Sequence, residues 1–423
     1  MIPELHVAKM GIIRTVATIV LSIAFFVFVL FFGRLPALRN TPVAALYKLL
    51  FVRVPDGLVA LDRIVTSGRL SRSLSRFGNH IMYDRHPTIV MFFFGLLLGA
   101  EYLYLPSAWP QMSTSHRVFG SISVFLPYLF LYLAVNADPG YITPENHAYY
   151  MSLYPYDYSI FHPGHKCSTC GFIKPPRSKH CSICKRCIAK CDHHCIFING
   201  CVGYENHKWF VLLLLSTAIL TTYGGALGYS ILTAKIRARF PAWSVWPPSS
   251  LGWEDYFLIW SWGLQDDVSM GAVTLLSSMT TPLVWGLLIY TLWLIYCGTT
   301  TNESLKWTEW KEDMDDGLAF KRSMSTNRTR DPLRESATSR WPLDTQQVLV
   351  TTENGMPPAA GGPGQGEWER IWKMRDVENL YDMGLWDNMM DVFVKDYAFG
   401  KRRDQPPIED EGRPRQPLKA SRF

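Results

Sequence analysis

The chain has 423 residues, of which 48% are hydrophobic, and it carries a formal net charge of +6 at neutral pH. Its mean hydropathy is close to zero, yet the apolar residues are concentrated in long runs between polar loops, which is typical of a polytopic membrane protein. This pattern excludes an ordinary soluble globular protein. The modest positive charge is explained by membrane topology and by contact with the lipid bilayer, so no nucleic-acid partner is predicted.

Five apolar segments are each long enough to cross roughly 30 Å of hydrocarbon, and we interpret all five as membrane spans. They are residues 10–32, 88–106, 118–136, 209–234 and 270–297. The first segment could instead be the hydrophobic region of a signal peptide. It is longer than such regions usually are, however, and no small-residue cleavage site follows it.

The distribution of Lys and Arg predicts the orientation of these spans. The loop 33–87 contains nine basic residues and three acidic ones, whereas the loop before the third span contains only Arg117. Because basic loops remain on the cytosolic side, loop 33–87 is predicted to be cytosolic. Alternation then places residues 137–208 and the tail from 298 in the cytosol, and both the N-terminus and residues 235–269 on the opposite side. Parts of loop 33–87 are amphipathic and fit either a membrane-surface segment or an ordinary basic loop.

The tail after the last span is predicted to have two parts. Residues 322–366 are rich in Ser, Thr, Arg, Pro and Gly and offer little apolar surface, so we predict a disordered linker. Residues 367–396 regain a helical spacing of apolar side chains, including Trp372, Val377 and Leu380, and are predicted to be ordered. The predicted domains are therefore the spans in 1–136, the cytosolic cysteine-rich domain 137–208, the spans in 209–297 and the cytosolic tail 298–423.

Eight of the nine cysteines lie between residues 167 and 201, within a loop assigned to the reducing cytosol. Metal or thiolate chemistry is therefore favoured over disulfides. Two tetrahedral zinc sites require eight ligands, and the cluster offers eight cysteines together with His180, His193 and His194, so three groups are left over. Spacing alone does not identify those three. Since adjacent side chains of an extended segment point in opposite directions, His180 and Cys181 indicate two interleaved sites.

The run from Cys167 to Phe210, with Asp192-His193-His194-Cys195 at its centre, resembles the cysteine-rich domain of the DHHC protein S-acyltransferases. Two further stretches support this resemblance. Thr300-Thr301-Asn302-Glu303 is similar to the TTxE motif of the family, and residues 381–384 with Asn388 and Phe393 are similar to its C-terminal aromatic and Asn motif. Ile196-Phe197 stands where many members have Pro-Trp, and Gly200 replaces a frequent Asn. Neither change removes a reactive group.

The resemblance implies an all-α polytopic membrane protein of about five transmembrane helices, with a cytosolic zinc-binding domain of short β-hairpins and loops. It implies two structural Zn²⁺ ions and a catalytic group made of Asp192, His193 and Cys195. The first ion would be held by Cys167, Cys170, His180 and Cys187, and the second by Cys181, Cys184, His194 and Cys201. A supporting role at the cofactor-binding site is assigned to Thr300, Thr301, Glu303 and Asn388.

The resemblance also implies the reaction. A long-chain acyl group, typically palmitoyl, would pass from acyl-CoA to Cys195 and then to a substrate cysteine in a two-step, ping-pong route. The extra N-terminal span is a feature similar to a fungal branch of the family, which resides in the endoplasmic reticulum and acylates transmembrane SNAREs. Juxtamembrane cytosolic cysteines of single-span proteins are therefore the expected acceptors. The CoA phosphates need cations, and the candidates in the cysteine-rich loop are Lys174, Arg177, Lys179, Lys185, Arg186 and Lys190.

Two other interpretations account for the cysteines alone. Cys181, Cys184, Cys187 and Cys191 reproduce a ferredoxin-type spacing, but an iron–sulfur cluster would leave the upstream cysteines and the histidines unused. A membrane-anchored zinc scaffold without acyltransferase activity is the second alternative. A RING-type scaffold should close with another Cys-x2-Cys pair, which is missing after Cys191.

Overall fold

The computed structural model describes residue 29 and residues 41–246, 251–325, 327–359 and 361–399. The described part begins with a helical segment on the N-terminal side of the first long apolar helix. It contains α1 (Pro42–Lys48), a π-helical turn (Leu49–Arg53), α2 (Val54–Thr66) and α3 (Arg69–Tyr83). Ser67 and Gly68 adopt the left-handed conformation between α2 and α3 and end the first of these two helices.

Two long apolar helices follow, α4 (Thr88–Ala108, extended by a 3-10 turn to Gln111) and α5 (Thr114–Asn136). Ser113 caps α5, because its hydroxyl accepts a hydrogen bond from the backbone N–H of His116. The short helix α6 (His147–Leu153) then leads into the cysteine-rich region.

The cysteine-rich region is built from two short antiparallel hairpins. The first pairs β1 (Lys179–Cys181) with β2 (Arg186–Ile188), and the second pairs β3 (His193–Cys195) with β4 (Gly200–Val202). Only glycine fits at position 203, because a Cβ atom there would lie 2.3 Å from the carbonyl oxygen of Pro139 and 2.6 Å from Ile188. This close approach holds the end of the second hairpin against the first.

Two further long apolar helices complete the candidate spans, α7 (His207–Arg239) and α9 (Val268–Tyr296), with the shorter α8 (Trp253–Asp266) between them. Among the described residues, four helices are thus long and apolar enough to cross a membrane. The predicted architecture of membrane-spanning helices with a cysteine-rich domain of short hairpins is confirmed. The first predicted span, 10–32, lies outside the described residues except for Val29 and stays a prediction.

The last span leads directly into a polar helix. Gly298 adopts a φ of +65° just after α9, where a Cβ atom would lie 2.4 Å from the carbonyl oxygen of Tyr381. Helix α10 (Thr301–Asp315) then begins with a capping box, in which Thr300 and Glu303 each bind the backbone N–H of the other. The start of α10 is therefore fixed immediately beyond the membrane helix.

The tail is more ordered than its composition predicts. A three-stranded sheet of order β6-β5-β7 is formed by β5 (Ala319–Ser323), β6 (Gln347–Thr351) and β7 (Gln365–Arg370), and α11 (Leu385–Phe393) follows. The structure therefore differs from the expected disordered linker over 322–366. That segment is polar on average, but it includes a few apolar residues that are buried, namely Trp341, Val348 and Leu349. Packing of these residues stabilises the strands.

Contacts divide the chain into two compact units. One unit contains the described residues up to Asp84 together with Ala100–Gln111 and Gly225–Leu275, and its apolar core is centred on Ile236, Trp243 and Tyr256. The other unit contains Arg85–Gly99, Met112–Gly224 and the described residues from Leu276 onward. The cysteine-rich hairpins, α10, α11 and the tail sheet all belong to this second unit, and so does the candidate site.

Candidate active site

The two hairpins gather the cysteines and histidines into two separate clusters. One contains Cys167, Cys170, His180 and Cys187, and the other contains Cys181, Cys184, His194 and Cys201; in each, the four donor atoms lie within 4.8 Å of one another. The strand registers explain the division. His180 lies opposite Cys187 in the first hairpin, and His194 lies opposite Cys201 in the second. Because β1 is extended, His180 and Cys181 point to opposite faces and enter different clusters.

The distances within each cluster fit a tetrahedral zinc ion. Around His180, Nδ1 lies 3.4 Å from the sulfurs of both Cys167 and Cys170. Around His194, Nδ1 lies 3.6 Å from Cys181 Sγ and 3.4 Å from Cys184 Sγ. Ordinary Zn–S and Zn–N bonds at tetrahedral angles place such atoms about 3.6 Å apart. Both donor sets therefore suit structural zinc.

Strand β3 separates the second cluster from a reactive group. His193 and Cys195 project from the face opposite to His194, since side chains alternate along a strand. The His193 ring hydrogen-bonds Asp192, with Nδ1 2.6 Å from Oδ2, and it also interacts with the Cys195 side chain. Its ring also packs edge-on against Phe210 in α7, with 5.1 Å between the ring centres. The imidazole is thus held between a carboxylate and a thiol.

The electrostatics of this group favour a protonated imidazole. Burial lowers the pKa of His193, but its hydrogen bonds with Asp192 and Cys195 outweigh burial and raise the pKa to about 10. Burial raises the pKa of Asp192, but the hydrogen bond from His193 and the surrounding donors hold it well below its usual range. Asp192 is therefore ionised, and a proton taken from Cys195 is stabilised on His193.

Asp192 is held by the start of α10 as well as by His193. Its Oδ1 accepts a hydrogen bond from the backbone N–H of Thr301 at 2.7 Å, and its Oδ2 accepts one from the Thr301 hydroxyl at 2.9 Å. The backbone N–H of Asn302 also donates to the carbonyl oxygen of Asp192 at 3.1 Å. Thr301 therefore fixes the orientation of the carboxylate that orients the imidazole.

The neighbouring Glu303 is fully buried and forms an ion pair with Arg177. Both carboxylate oxygens of Glu303 accept hydrogen bonds from Arg177, each at 2.7 Å. The guanidinium also donates to the carbonyl oxygen of Gly298 and stacks over Tyr381, 4.4 Å from the ring centre. The backbone carbonyl of Arg177 in turn accepts from the N–H of Cys191. Glu303 thus connects α10 to the segment that precedes Asp192.

The C-terminal helix α11 attaches to the same region through two buried polar residues. Asn388 donates to the carbonyl oxygen of Tyr296, the last residue of α9, at 3.1 Å. Asp391 accepts hydrogen bonds from Lys190 and Tyr154, both at 2.7 Å, and it also pairs with Arg340. Asn388 and Asp391 therefore dock the tail onto the membrane helix and the cysteine-rich domain.

The thiol of Cys195 lies in apolar surroundings. Cys195 is buried in a cluster with residues from three candidate spans and from α11. Other members of this cluster are Leu131 of α5, Phe210, Val211 and Leu214 of α7, Leu288 and Ile295 of α9, and Val392 of α11. Ile196 and Phe197, which directly follow Cys195, are 42% and 49% exposed. The reactive sulfur thus lies among apolar side chains, several of which belong to candidate membrane spans.

All the predicted catalytic residues, Asp192, His193 and Cys195, come together in one group. The residues predicted to support cofactor binding form hydrogen bonds within the protein. They are Thr300, Thr301, Glu303 and Asn388. Two of the basic candidates for phosphate binding are buried in ion pairs instead. Arg177 pairs with Glu303, and Lys190 pairs with Asp391. Cys191 is buried beside the second cysteine cluster but is not one of its four donors.

Sequence reasoning missed the roles of Arg177, Arg340 and Asp391. Arg177 appeared only as one cation among six, and Arg340 falls in the segment predicted to be disordered. The available signal for Arg177 was the single acidic residue of the TTxE-like motif, which needs a cation if it is buried. No comparable signal in the sequence pointed to Asp391.

Comparison with known proteins gives a consistent result. A family model described as DHHC palmitoyltransferase matches residues 160–308. Palmitoyltransferase SWF1 of Neurospora crassa is 52% identical over 414 residues, covering 95% of this chain and 96% of that protein. Palmitoyltransferase swf1 of Emericella nidulans is 41% identical, with 93% and 99% coverage, and that of Schizosaccharomyces pombe is 35% identical, with 86% and 92%.

Proposed function

The chain belongs to the DHHC palmitoyltransferase family and is a protein S-palmitoyltransferase, and we propose that it works through an acyl-Cys195 intermediate formed from acyl-CoA. The observation that carries this proposal is the contact series Thr301, Asp192, His193 and Cys195. A nucleophile, a base within hydrogen-bonding reach and a carboxylate that orients the base form the arrangement that covalent acyl transfer requires.

In the first step, His193 accepts the proton of the Cys195 thiol, and the thiolate attacks the carbonyl carbon of the acyl-CoA thioester. A new C–S bond forms to Cys195 as the bond to the CoA sulfur breaks. The proton on His193 is then available to the departing CoA thiolate, which leaves as CoA thiol. Asp192 compensates the positive charge on the imidazole throughout this step.

The second step repeats this chemistry with a substrate cysteine. Its thiol gives its proton to His193, and the resulting thiolate attacks the carbonyl of acyl-Cys195. Cys195 leaves as a thiolate and regains the proton from His193. Both reactant and product are thioesters, so the protein contributes positioning and thiolate formation rather than driving force.

The proposed substrates are cysteines of membrane proteins close to the cytosolic membrane surface. Most of the apolar side chains clustered with Cys195 belong to helices long enough to span a bilayer, which supports an acyl chain held at membrane level. An acceptor thiol must then come to the same depth. Transmembrane SNAREs of the endoplasmic reticulum fit this requirement and agree with the fungal branch to which the sequence is similar.

The two cysteine and histidine clusters are proposed to hold structural zinc. The eight donors are used within the clusters, and Cys195 belongs to neither of them. Zinc would fix hairpins that have little apolar core of their own, and through them the spacing between His193 and Cys195. The cytosolic orientation of this domain and of the tail follows from the basic loop 33–87.

The proposal is tested with the purified chain in lipid vesicles, palmitoyl-CoA and single-span peptides. Matched peptides carry one cysteine either at the membrane boundary or well outside it. We expect hydroxylamine-sensitive acylation of the boundary cysteine only, and none with Cys195→Ala. Equal acylation of both peptides would contradict the substrate assignment, and no acylation by zinc-loaded wild type would favour the scaffold alternative.

A further inference from the structure

The α2–α3 hairpin exposes two apolar stripes at helical spacing. In α2 the stripe contains Val54, Leu58, Leu61 and Val65, and in α3 it contains Leu70, Leu74 and Phe77. Each of these seven residues has between 44% and 71% of its surface exposed. Seven large apolar side chains arranged in this way form a surface that is typical of a binding site rather than of a face in water.

The polar sides of both helices are basic. Arg63 lies opposite the apolar stripe of α2, and Arg69, Arg72 and Arg76 lie on the polar side of α3 by helical spacing. Arg72 has a local role, since its guanidinium donates to the carbonyl oxygens of Ser67 and Gly68. Arg63, Arg69 and Arg76 are exposed. An apolar stripe with arginines on the other face is the pattern of helices that lie in a membrane interface.

Length and charge exclude a membrane span here. Helix α3 has 15 residues, or about 22 Å, which is shorter than a hydrocarbon core of about 30 Å. Helix α2 continues a helical run that begins at Pro42, and that run carries five charged residues, too many for a span: Lys48, Arg53, Asp56, Asp62 and Arg63. Only residues 84–87 separate α3 from α4, the first candidate span among the described residues. So short a connection keeps the end of α3 close to the membrane surface where α4 begins.

We propose that the α2–α3 hairpin lies flat in the membrane interface, with both apolar stripes among the acyl chains and the exposed arginines on anionic phospholipid headgroups. Asp62 joins the two helices, because its carboxylate accepts hydrogen bonds from the backbone N–H of Ser71 at 2.8 Å and from the Thr66 hydroxyl. The hairpin is thus a lipid-binding element separate from the residues that transfer the acyl group.

The apolar part is tested by photo-crosslinking in the full-length protein, reconstituted in nanodiscs of phosphatidylcholine and phosphatidylserine. The photoreactive residue is placed by Leu58→benzoylphenylalanine or Leu74→benzoylphenylalanine. Met91, exposed on α4, is the control inside a span, and Leu333, exposed in the tail, is the control outside the membrane. We expect lipid adducts from positions 58, 74 and 91 and none from 333. Protein adducts at 58 and 74, whether to residues 1–40 or to a second copy, would overturn the proposal.

The charged part is tested with the same crosslinker at position 74. In the wild-type background, adducts should be enriched in phosphatidylserine over its share of the bilayer. Arg69→Gln with Arg76→Gln should reduce this enrichment by about fivefold or more, the factor that corresponds to about 1 kcal/mol for one arginine near an anionic surface. Adducts that match the bulk lipid composition in both proteins would overturn the assignment of anionic lipid.

Discussion

Thr301 binds both carboxylate oxygens of Asp192, one through its backbone N–H at 2.7 Å and the other through its hydroxyl at 2.9 Å. Thr301 is the first residue of α10, which begins five residues after the last span ends at Tyr296. The orientation of Asp192, and through it of His193, is therefore set by a residue anchored at the membrane helix as well as by the cysteine-rich hairpin.

Thr301→Val should slow the acylation of Cys195 by about ten- to a hundredfold, because a hydrogen bond to a charged group contributes about 1.5–3 kcal/mol. Only the hydroxyl is removed, so the backbone N–H still donates to Oδ1. The rate is measured as incorporation of labelled palmitoyl-CoA in a single turnover. Thr301→Ser keeps the hydroxyl and should retain most of the rate, whereas an equal loss in both variants would show that the methyl group matters instead.

The Arg177–Glu303 ion pair predicts a strong stability effect. Arg177→Met leaves a buried carboxylate without its cation and should destabilise the protein by about 3–5 kcal/mol. Glu303→Leu should destabilise the protein by a similar amount, because it leaves the buried Arg177 guanidinium without its anion. The melting temperature of the detergent-solubilised protein reports both changes.

The double variant Arg177→Met/Glu303→Leu provides the control for this pair. It removes both buried charges, so its destabilisation should be clearly smaller than the sum of the two single effects. Additive effects would mean that the two side chains contribute independently and that the ion pair is not the source of the stability.

Zinc content should follow the composition of the two clusters. Wild type should contain about two zinc ions per chain, and Cys184→Ala should lose the ion of the second cluster, as measured by elemental analysis. Cys191→Ala is the matched control, because Cys191 is buried beside that cluster without being one of its donors. A comparable loss of zinc from Cys191→Ala would contradict the proposed ligand set.

Asp157 predicts a pH-dependent contribution to stability. Burial, reinforced by the charge of Glu303, raises the pKa of Asp157 from 3.8 to about 6. Since the folded state holds this proton more tightly than the unfolded state, the contribution is present below pH 4 and is lost as the pH rises through 6. The difference corresponds to roughly 3 kcal/mol.

Asp157→Asn removes this titration while keeping an oxygen that accepts from the N–H groups of Ser159 and Phe161. The free energy of unfolding of the variant minus that of wild type should therefore be larger at pH 7.5 than at pH 4.5. Unfolding measurements at both pH values test this. An unchanged stability difference between the two proteins would show that Asp157 titrates normally.

The interleaving of the two clusters could be predicted from sequence because it depends on local geometry. Adjacent residues of a strand face opposite ways, and this places His180 and Cys181 in different clusters. The four described spans could also be predicted, since a bilayer requires about twenty consecutive apolar residues. Both signals are contained in short stretches of chain.

The contacts that support the site could not be predicted in the same way. Arg177 and Glu303 are 126 positions apart, and Lys190 and Asp391 are 201 positions apart. Nothing in either local sequence specifies the partner. Strand β6, the one that lies wholly within 322–366, could not be predicted for a related reason. Val348 in this strand and the nearby Trp341 are stabilised by packing against distant residues rather than by their neighbours in sequence.

The most direct test of the mechanism is acyl labelling of the purified protein with alkyne-bearing palmitoyl-CoA, with zinc measured on the same samples. Wild type and Cys191→Ala should acquire a hydroxylamine-sensitive label, and Cys195→Ala should acquire none while keeping about two zinc ions per chain. Equal labelling of Cys195→Ala, or an unlabelled wild type that is folded and loaded with zinc, would contradict Cys195 as the acyl carrier.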